Sequence, residues 1–113
     1  MAVPNNVHKE CAVAALEAGK HVLLEKPMAM SVAECDEIIA ARDRSGKILQ
    51  MGFVCRGLPT AHAARQFIRS GRFGDIYHVK CSMYRRRGIP GLGGWFTTKA
   101  LSGGGPLIDL GVH

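Results

Sequence analysis

Hydrophobic and polar positions in the first half of the chain alternate between helix-like and strand-like patterns. Apolar residues three and four positions apart predict a helix over 7–18, and the short apolar run 21–25 predicts a buried strand. An S-x-x-E capping box at 31–34 starts a second helix, which ends at Gly46. Residues 48–53 predict another strand. This order, with strands too apolar for a one-sided sheet, is typical of a parallel α/β layer.

The pattern changes in the second half of the chain. A helix is predicted over 59–70, and the strict alternation over 76–84 predicts a long strand of an antiparallel sheet with one face in water. The segment 85–105 holds 7 of the 14 glycines, which predicts a long functional loop. Pro106 suits the first position of a further helix. The change of pattern predicts a boundary between two structural parts near 71–75.

Composition and charge narrow the class of protein. The 113 residues are 47% hydrophobic and 21% charged, which indicates a folded chain. The formal net charge is +6, but residues 1–50 hold 6 basic and 7 acidic side chains (net −1), whereas residues 51–113 hold 9 and 2 (net +7). This balance of charge excludes proteins of the acidic-tail or calcium-buffer type. It leaves open nucleic acid, phosphates, anionic small molecules and acidic proteins as binding partners.

The four cysteines and the apolar runs bear on localisation. The cysteines lack the spacing of a structural zinc site, so we predict no metal and reduced thiols, with Cys11 and Cys35 in the core. No run approaches the roughly 18 apolar residues of a membrane span, and the first residues do not resemble a secretory signal. We therefore predict a cytoplasmic protein.

Lys26 stands in Glu25-Lys26-Pro27, directly after the first predicted strand. Ligands of open parallel α/β sheets bind just beyond the carboxyl ends of the strands. A lysine held there is expected to be partly desolvated and suited to proton transfer or to polarising a hydroxyl group. The alternative is an ordinary surface lysine before a turn proline, and spacing alone does not separate the two.

Asp109 and His113 stand four positions apart in a segment predicted to be helical, so both side chains are expected to project from one face. Asp109 could bond a substrate or orient the imidazole, and His113 could act as a base. Alternatively, the two side chains form an ordinary pair on a helix surface, or they are two metal ligands for which the sequence offers no third ligand.

Two further segments are candidates for anion binding. Gly103-Gly104-Gly105 leads into a helix start, although no Gly-Lys-Ser/Thr of a P-loop follows. Arg85-Arg86-Arg87, with aromatic residues nearby, could form a nucleic-acid surface, but three adjacent arginines are more often a solvated strand end. The 113 residues contain no G-x-G-x-x-G dinucleotide fingerprint.

Several motifs are more specific together than singly, and they occur in the order Val3-Pro4-Asn5-Asn6-Val7-His8, Ala15-Leu16-Glu17-Ala18-Gly19-Lys20-His21-Val22, Glu25-Lys26-Pro27, Gly103-Gly104-Gly105 and Asp109-Leu110-Gly111-Val112-His113. They resemble the Gfo/Idh/MocA family (glucose–fructose oxidoreductase and inositol dehydrogenase) over essentially the whole chain. The resemblance implies an α/β fold: the C-terminal part of an NAD(P)-binding Rossmann domain over 1–72, then over 73–113 the beginning of an α+β substrate domain with a mainly antiparallel sheet.

The resemblance also implies NAD or NADP as cofactor, and hydride transfer between nicotinamide and a hydroxyl or carbonyl group of a sugar or cyclitol. It implies that His113 takes the hydroxyl proton, Lys26 binds the developing alkoxide and Asp109 orients the substrate. The residues it implies on the cofactor side are Pro4, Asn5, His8, Glu25, Lys26 and Arg56.

The chain departs from the family pattern at two places. Many members carry an asparagine shortly before the arginine that Arg56 matches, where this chain has Val54 and Cys55. Trp95-Phe96 often reads Trp-Arg in relatives, so a phosphate contact from that arginine is missing. The resemblance further implies an internal fragment that lacks the glycine-rich turn and most of the substrate domain, and that is expected to be inactive and to bind NAD weakly.

For the intact protein we predict a homo-oligomer formed through the substrate-domain sheet, with a polyol or sugar substrate and no nucleic-acid or membrane partner. The competing hypothesis is a non-catalytic binding or regulatory module that kept the same fold. The presence of Lys26, Asp109 and His113 favours the enzyme.

Overall fold

The computed structural model describes residues 1–84, 86–88 and 90–113. They form two compact units, of which the first combines Met1–Phe53 with Pro90–His113 and the second is Val54–Ile89. The helices and strands of the described residues are α1 (His8–Glu17), β1 (Val22–Leu24), α2 (Val32–Ser45), β2 (Leu49–Met51), α3 (Pro59–Arg69), α4 (Lys99–Ser102) and α5 (Pro106–Asp109).

The first unit is built on a parallel pair of strands, as predicted. β1 pairs with β2 in the register Val22↔Leu49 and Leu24↔Met51. On the opposite edge of β1, the amino group of Met1 donates to the Leu23 carbonyl, and the Glu25 amide donates to the Met1 carbonyl at 3.0 Å. The chain segment that follows Met1 is therefore held beside the end of β1.

Side chains of α1, α2 and one face of β1 make up the core of this unit. Leu16, Leu24 and Ile38 are fully buried, and the remaining core residues are Ala12, Val22, Ala29 and Ala41. Burying each large aliphatic side chain stabilises the fold by roughly 1.5–3 kcal/mol. Leu23 points to the other face and is 61% exposed, so within the described residues this strand is covered on one face only, whereas the sequence predicts a buried strand.

Helix α2 has the ends that its sequence predicts. The Ser31 hydroxyl accepts from the Glu34 amide at 3.3 Å, and the Glu34 carboxylate accepts from the Met30 amide at 2.9 Å. Gly46 follows the helix with φ 63°, a left-handed conformation that glycine adopts without a Cβ penalty. Cys35 packs against the core, and its burial, followed by the nearby Asp36 and Glu34 carboxylates, raises the pKa of its thiol.

The second unit differs from the predicted antiparallel strand. α3 forms as predicted, and Phe67 lies 6.1 Å from Phe73 between ring centroids, with the Arg72 guanidinium over Phe67 at 5.5 Å. Residues 76–84, however, have no regular secondary structure. An isolated strand leaves its backbone donors and acceptors unpaired, and no described residue of the chain supplies a partner strand.

The region 85–105 also differs from a continuous loop. Its described residues include a single helical turn at Trp95–Thr97 and the short helix α4. Arg85 and Ile89 lie outside the described residues, so the predicted arginine cluster is described only at Arg86 and Arg87, both of which are exposed.

Candidate active site

A cleft of about 320 Å³ opens where β1 ends in the first unit. The chain after Met1 and the chain after β1 form two of its walls, because backbone hydrogen bonds hold Met1 beside β1. This position beyond the carboxyl end of a parallel strand is where α/β sheets bind ligands. The residues that line the cleft are Ala2, Val3, Pro4, Asn5, His8, Glu25, Lys26 and Trp95.

Lys26 and Asp109, which are 83 positions apart, meet in an ion pair. The Lys26 ammonium lies 2.5 Å from Asp109 Oδ1 and also donates to the Asp109 main-chain carbonyl at 2.9 Å. Their side chains are 19% and 24% exposed, so solvent screens this pair less than a pair on the open surface. Among the described residues, Asp109 is the ammonium's only partner, and an ammonium has three protons. One N–H is therefore left without a partner among the described residues.

Asn5 connects the N-terminal wall of the cleft to the segment that leads to Asp109. Its carboxamide nitrogen donates to the Ser102 carbonyl at 2.8 Å, and both residues are buried. Ser102 is the last residue of α4, and Gly103 follows it with φ 87°. Asn5 therefore lines the cleft and also fixes the start of the glycine segment.

His8 lines the cleft with a ring that is already engaged. It is 1% exposed, and its two ring nitrogens lie 2.7 Å from the Pro27 carbonyl oxygen and 2.9 Å from the Val3 carbonyl oxygen. A ligand in the cleft can therefore pack against His8, while both nitrogens are occupied by the protein.

Glu25 projects toward the end of β2. A Cβ atom placed on Gly52 would lie 3.1 Å from the carboxyl carbon and both oxygens of Glu25, closer than most real Cβ contacts. The Lys26 amide donates to Glu25 Oε2 at 3.3 Å. The absence of a side chain at Gly52 thus leaves the space in which the Glu25 carboxylate lies.

The remaining predicted site residues are not assembled as the sequence suggested. α5 ends at Asp109, so Asp109 and His113 do not share a helix face, and the prediction of an i,i+4 pair was wrong. The Leu110 and Gly111 amides both donate to the Pro106 carbonyl, which closes the helix after one turn. His113 is exposed, and the structure gives its side chain no hydrogen bond or ion pair to any described residue.

Arg56 belongs to the second unit, where it lies exposed in the helical turn Val54–Gly57. Its role on the cofactor side stays a prediction.

Sequence reasoning missed two contributors to the site. Ser102 offers only its main-chain carbonyl to Asn5, and a main-chain contact leaves no trace in residue type. Gly52 acts through its lack of a side chain, and the only available signal is a glycine at the end of a predicted strand.

Neither a metal site nor a membrane-spanning helix is found in residues 1–84, 86–88 and 90–113. Those residues contain no group of three or more His, Cys, Asp or Glu side chains placed to hold a metal ion. Likewise, none of the helices described for the chain is long and apolar enough to cross a membrane.

The chain resembles known proteins along both halves. Residues 1–53 match the family described as oxidoreductase family, NAD-binding Rossmann fold (Gfo/Idh/MocA), and residues 61–113 match the Gfo/Idh/MocA C-terminal domain. D-glucoside 3-dehydrogenase of Escherichia coli is 42% identical over 110 residues, which cover 97% of this chain and 31% of that protein. The chain belongs to the Gfo/Idh/MocA oxidoreductase family.

Solved structures agree with this assignment. The aldose-aldose oxidoreductase from Caulobacter crescentus, complexed with glycerol, matches with a TM-score of 0.81 at 33% identity, over 96% of this chain and 32% of that one. An inositol dehydrogenase homologue from Azotobacter vinelandii, complexed with NADH and myo-inositol, matches with a TM-score of 0.63 at 30% identity. This match covers 66% of this chain and 20% of that one. The 113 residues thus span about a third or less of these relatives.

Proposed function

We propose that this chain carries the nicotinamide end of the cofactor site and part of the substrate site of an NAD(P)-dependent dehydrogenase. Its substrate is a hydroxyl group of a sugar or cyclitol, or the corresponding carbonyl group. The observation that carries the proposal is the Lys26–Asp109 pair, which is held at the edge of a cleft beyond the carboxyl end of a parallel strand. Two similar proteins are a D-glucoside 3-dehydrogenase and an inositol dehydrogenase homologue.

The chemistry of the cleft suits the nicotinamide end of NAD or NADP. Pro4 and Trp95 offer apolar surface to a flat ring, and Glu25 offers a carboxylate that can accept hydrogen bonds from ribose hydroxyls. Asn5 and His8 complete this wall, although the Asn5 nitrogen and the His8 ring are bound to main-chain carbonyls. Arg56 remains a proposed cofactor-side residue on the family resemblance alone.

The proposed reaction separates a hydride from a proton. When bound, NAD or NADP supplies the acceptor for the hydride that leaves the substrate carbon. The remaining N–H of Lys26 binds the substrate oxygen and stabilises the negative charge that develops on it. Asp109 holds the Lys26 ammonium and orients the substrate, and His113 accepts the hydroxyl proton as general base.

Replacement of Lys26 tests this proposal in a polypeptide of the relatives' length that contains these 113 residues. Lys26→Ala is expected to lower kcat by roughly 10²–10⁴-fold with a sugar or cyclitol substrate, because a positioned donor to the reacting oxygen is lost. Lys20→Ala is the matched control, since Lys20 is exposed in the turn after α1. Unchanged dehydrogenase activity in Lys26→Ala would count against this mechanism, whereas a lack of activity in the unsubstituted polypeptide would favour a non-catalytic module with this fold.

Three structural expectations belong to the same proposal. The substrate domain begins near residue 73, its sheet is mainly antiparallel, and the intact protein forms a homo-oligomer through that sheet. The chain after residue 72 supplies Asp109 and His113, so this domain would complete the site that the residues before it begin.

A further inference from the structure

The carboxamide of Asn5 joins two stretches of chain that are 97 positions apart. Its nitrogen donates to the main-chain carbonyl of Ser102 at 2.8 Å, and the two residues are 7% and 5% exposed. Ser102 is the last residue of α4, and the carbonyls of a last helical turn have no donor within the helix. The Asn5 side chain supplies such a donor in a place with little access for water.

Hydrogen-bond chemistry fixes the orientation of this carboxamide. A main-chain carbonyl only accepts, so the amide nitrogen of Asn5, rather than its oxygen, must face Ser102. The main chain of Asn5 is held separately, because its carbonyl accepts from the His8 amide. The side chain can therefore be changed without removing the main-chain hydrogen bond that forms the turn.

The segment that follows Ser102 is packed closely on two sides. A Cβ atom at Gly103 would lie 3.0 Å from Met30 Sδ and 3.2 Å from Ile108 Cδ1. Met30 belongs to the loop after β1, and Ile108 directly precedes Asp109. Because protein interiors are close-packed, a shift of Ser102 would move these neighbours as well.

We propose that Asn5 is a positioning residue that sets the geometry of the Lys26–Asp109 pair. By holding the Ser102 carbonyl, its carboxamide fixes the start of the segment that carries Asp109, whose carboxylate and main-chain carbonyl both accept from the Lys26 ammonium. These two contacts use two protons of the ammonium and so set the direction of the third. The catalytic consequence rests on the proposed function, whereas the effect on the pair does not.

Nitrogen NMR of the full-length polypeptide, labelled with ¹⁵N in lysine, tests the effect on the pair. Asn5→Leu keeps the approximate shape of the side chain and removes the donor without adding a charge. We expect its Lys26 ¹⁵Nζ resonance, identified by its loss in Lys26→Arg, to move away from that of the parent protein. Asn6→Leu is the matched control, because Asn6 is the exposed neighbour in the same turn. An unchanged Lys26 resonance in folded Asn5→Leu would overturn the proposal.

A carboxyl group at position 5 gives a second test, because its effect depends on pH. In Asn5→Asp, the ionised carboxylate only accepts and repels the Ser102 carbonyl, whereas the protonated acid can donate to it. Burial raises the pKa of such a carboxyl group, so part of it is protonated at about pH 5. If Asn5→Leu does not fold, the Lys26 resonance of Asn5→Asp at about pH 8 and about pH 5 takes its place.

Activity separates positioning from a purely structural role. Relative to Asn6→Asp, we expect kcat/KM of Asn5→Asp to be lower by roughly 10–100-fold at about pH 8, and the loss to be smaller at about pH 5. An equal loss at both pH values, or a Lys26 resonance that differs from that of Asn6→Asp by the same amount at both, would contradict the positioning role. A lack of activity in the unsubstituted polypeptide would contradict the proposed function alone, since the resonance of Lys26 needs no turnover.

Discussion

At the scale of single residues, a glycine decides where a cleft carboxylate can lie. The Glu25 carboxyl group occupies the space that a side chain at position 52 would fill. Glu25 itself is exposed on the cleft side, and the Lys26 amide donates to it. Gly52 therefore contributes to the cofactor side of the proposed site without offering any polar group.

Gly52→Ala is predicted to weaken dinucleotide binding more than it weakens the fold. The new Cβ would lie 3.1 Å from the flexible end of Glu25, so the carboxylate moves and its proposed hydrogen bond to the cofactor is lost. We expect Kd for NAD(P) to rise on the order of tenfold, about 1.4 kcal/mol, by calorimetry on the full-length polypeptide.

The control for this prediction is Gly91→Ala in the same unit. A Cβ at Gly91 meets no atom within 4 Å, and Gly91 does not have a positive φ. Equal affinities of the two variants would show that the space at Gly52 does not matter for the cofactor.

Residue types predicted the position of Lys26 after a strand, but they did not predict its contacts. Lys26 was placed correctly at a strand end, because an apolar run followed by Glu-Lys-Pro marks that edge. The contact with Asp109 spans 83 positions, and no local pattern encodes a pairing of that range. The same holds for Asn5 and Ser102, which are 97 positions apart.

At the scale of elements, the N-terminus of α2 shows the local signal that sequence encodes best. Ser31 accepts from the Glu34 amide, and the Glu34 carboxylate reaches the Met30 amide rather than that of Ser31. Ser31→Ala is predicted to lower the free energy of unfolding by about 1 kcal/mol, since one amide at the helix start loses its partner.

Urea unfolding of the variants measures this effect. Ser31→Asp retains a capping oxygen, so its free energy of unfolding is expected to lie within about 0.5 kcal/mol of that of the parent chain. If Ser31→Ala and Ser31→Asp unfold at the same urea concentration, the cap contributes nothing to the stability of α2.

Two elements differ from the sequence-based prediction, each for its own reason. The alternation over 76–84 indicates which residues could face water, but a strand also needs a neighbour, and none is found in the part of the chain that the structure describes. The helix that starts at Pro106 ends at Asp109, and the Leu110 and Gly111 amides both donate to the Pro106 carbonyl. The chain then turns at Gly111, where a Cβ atom would lie 2.4 Å from the Leu107 carbonyl oxygen.

At the scale of the whole molecule, the chain contains the nicotinamide end of the proposed site without a glycine fingerprint. The cleft lies in the first unit, and the 113 residues contain no G-x-G-x-x-G motif. In Rossmann domains that motif holds the pyrophosphate at a helix N-terminus and supplies a large part of the binding free energy. Much of the affinity for a dinucleotide should therefore depend on sequence other than these residues.

We predict that the isolated chain does not distinguish NAD from nicotinamide mononucleotide, which lacks the adenosine half. Both ligands should bind weakly and within about threefold of each other, a difference under about 0.7 kcal/mol. The full-length polypeptide should prefer NAD on the order of 100-fold, about 2.7 kcal/mol, because only NAD reaches the pyrophosphate turn. Calorimetry with both ligands and both proteins measures these differences. A micromolar affinity of the isolated chain for NAD would mean that these 113 residues hold the adenosine half as well, and would contradict this division of the binding site.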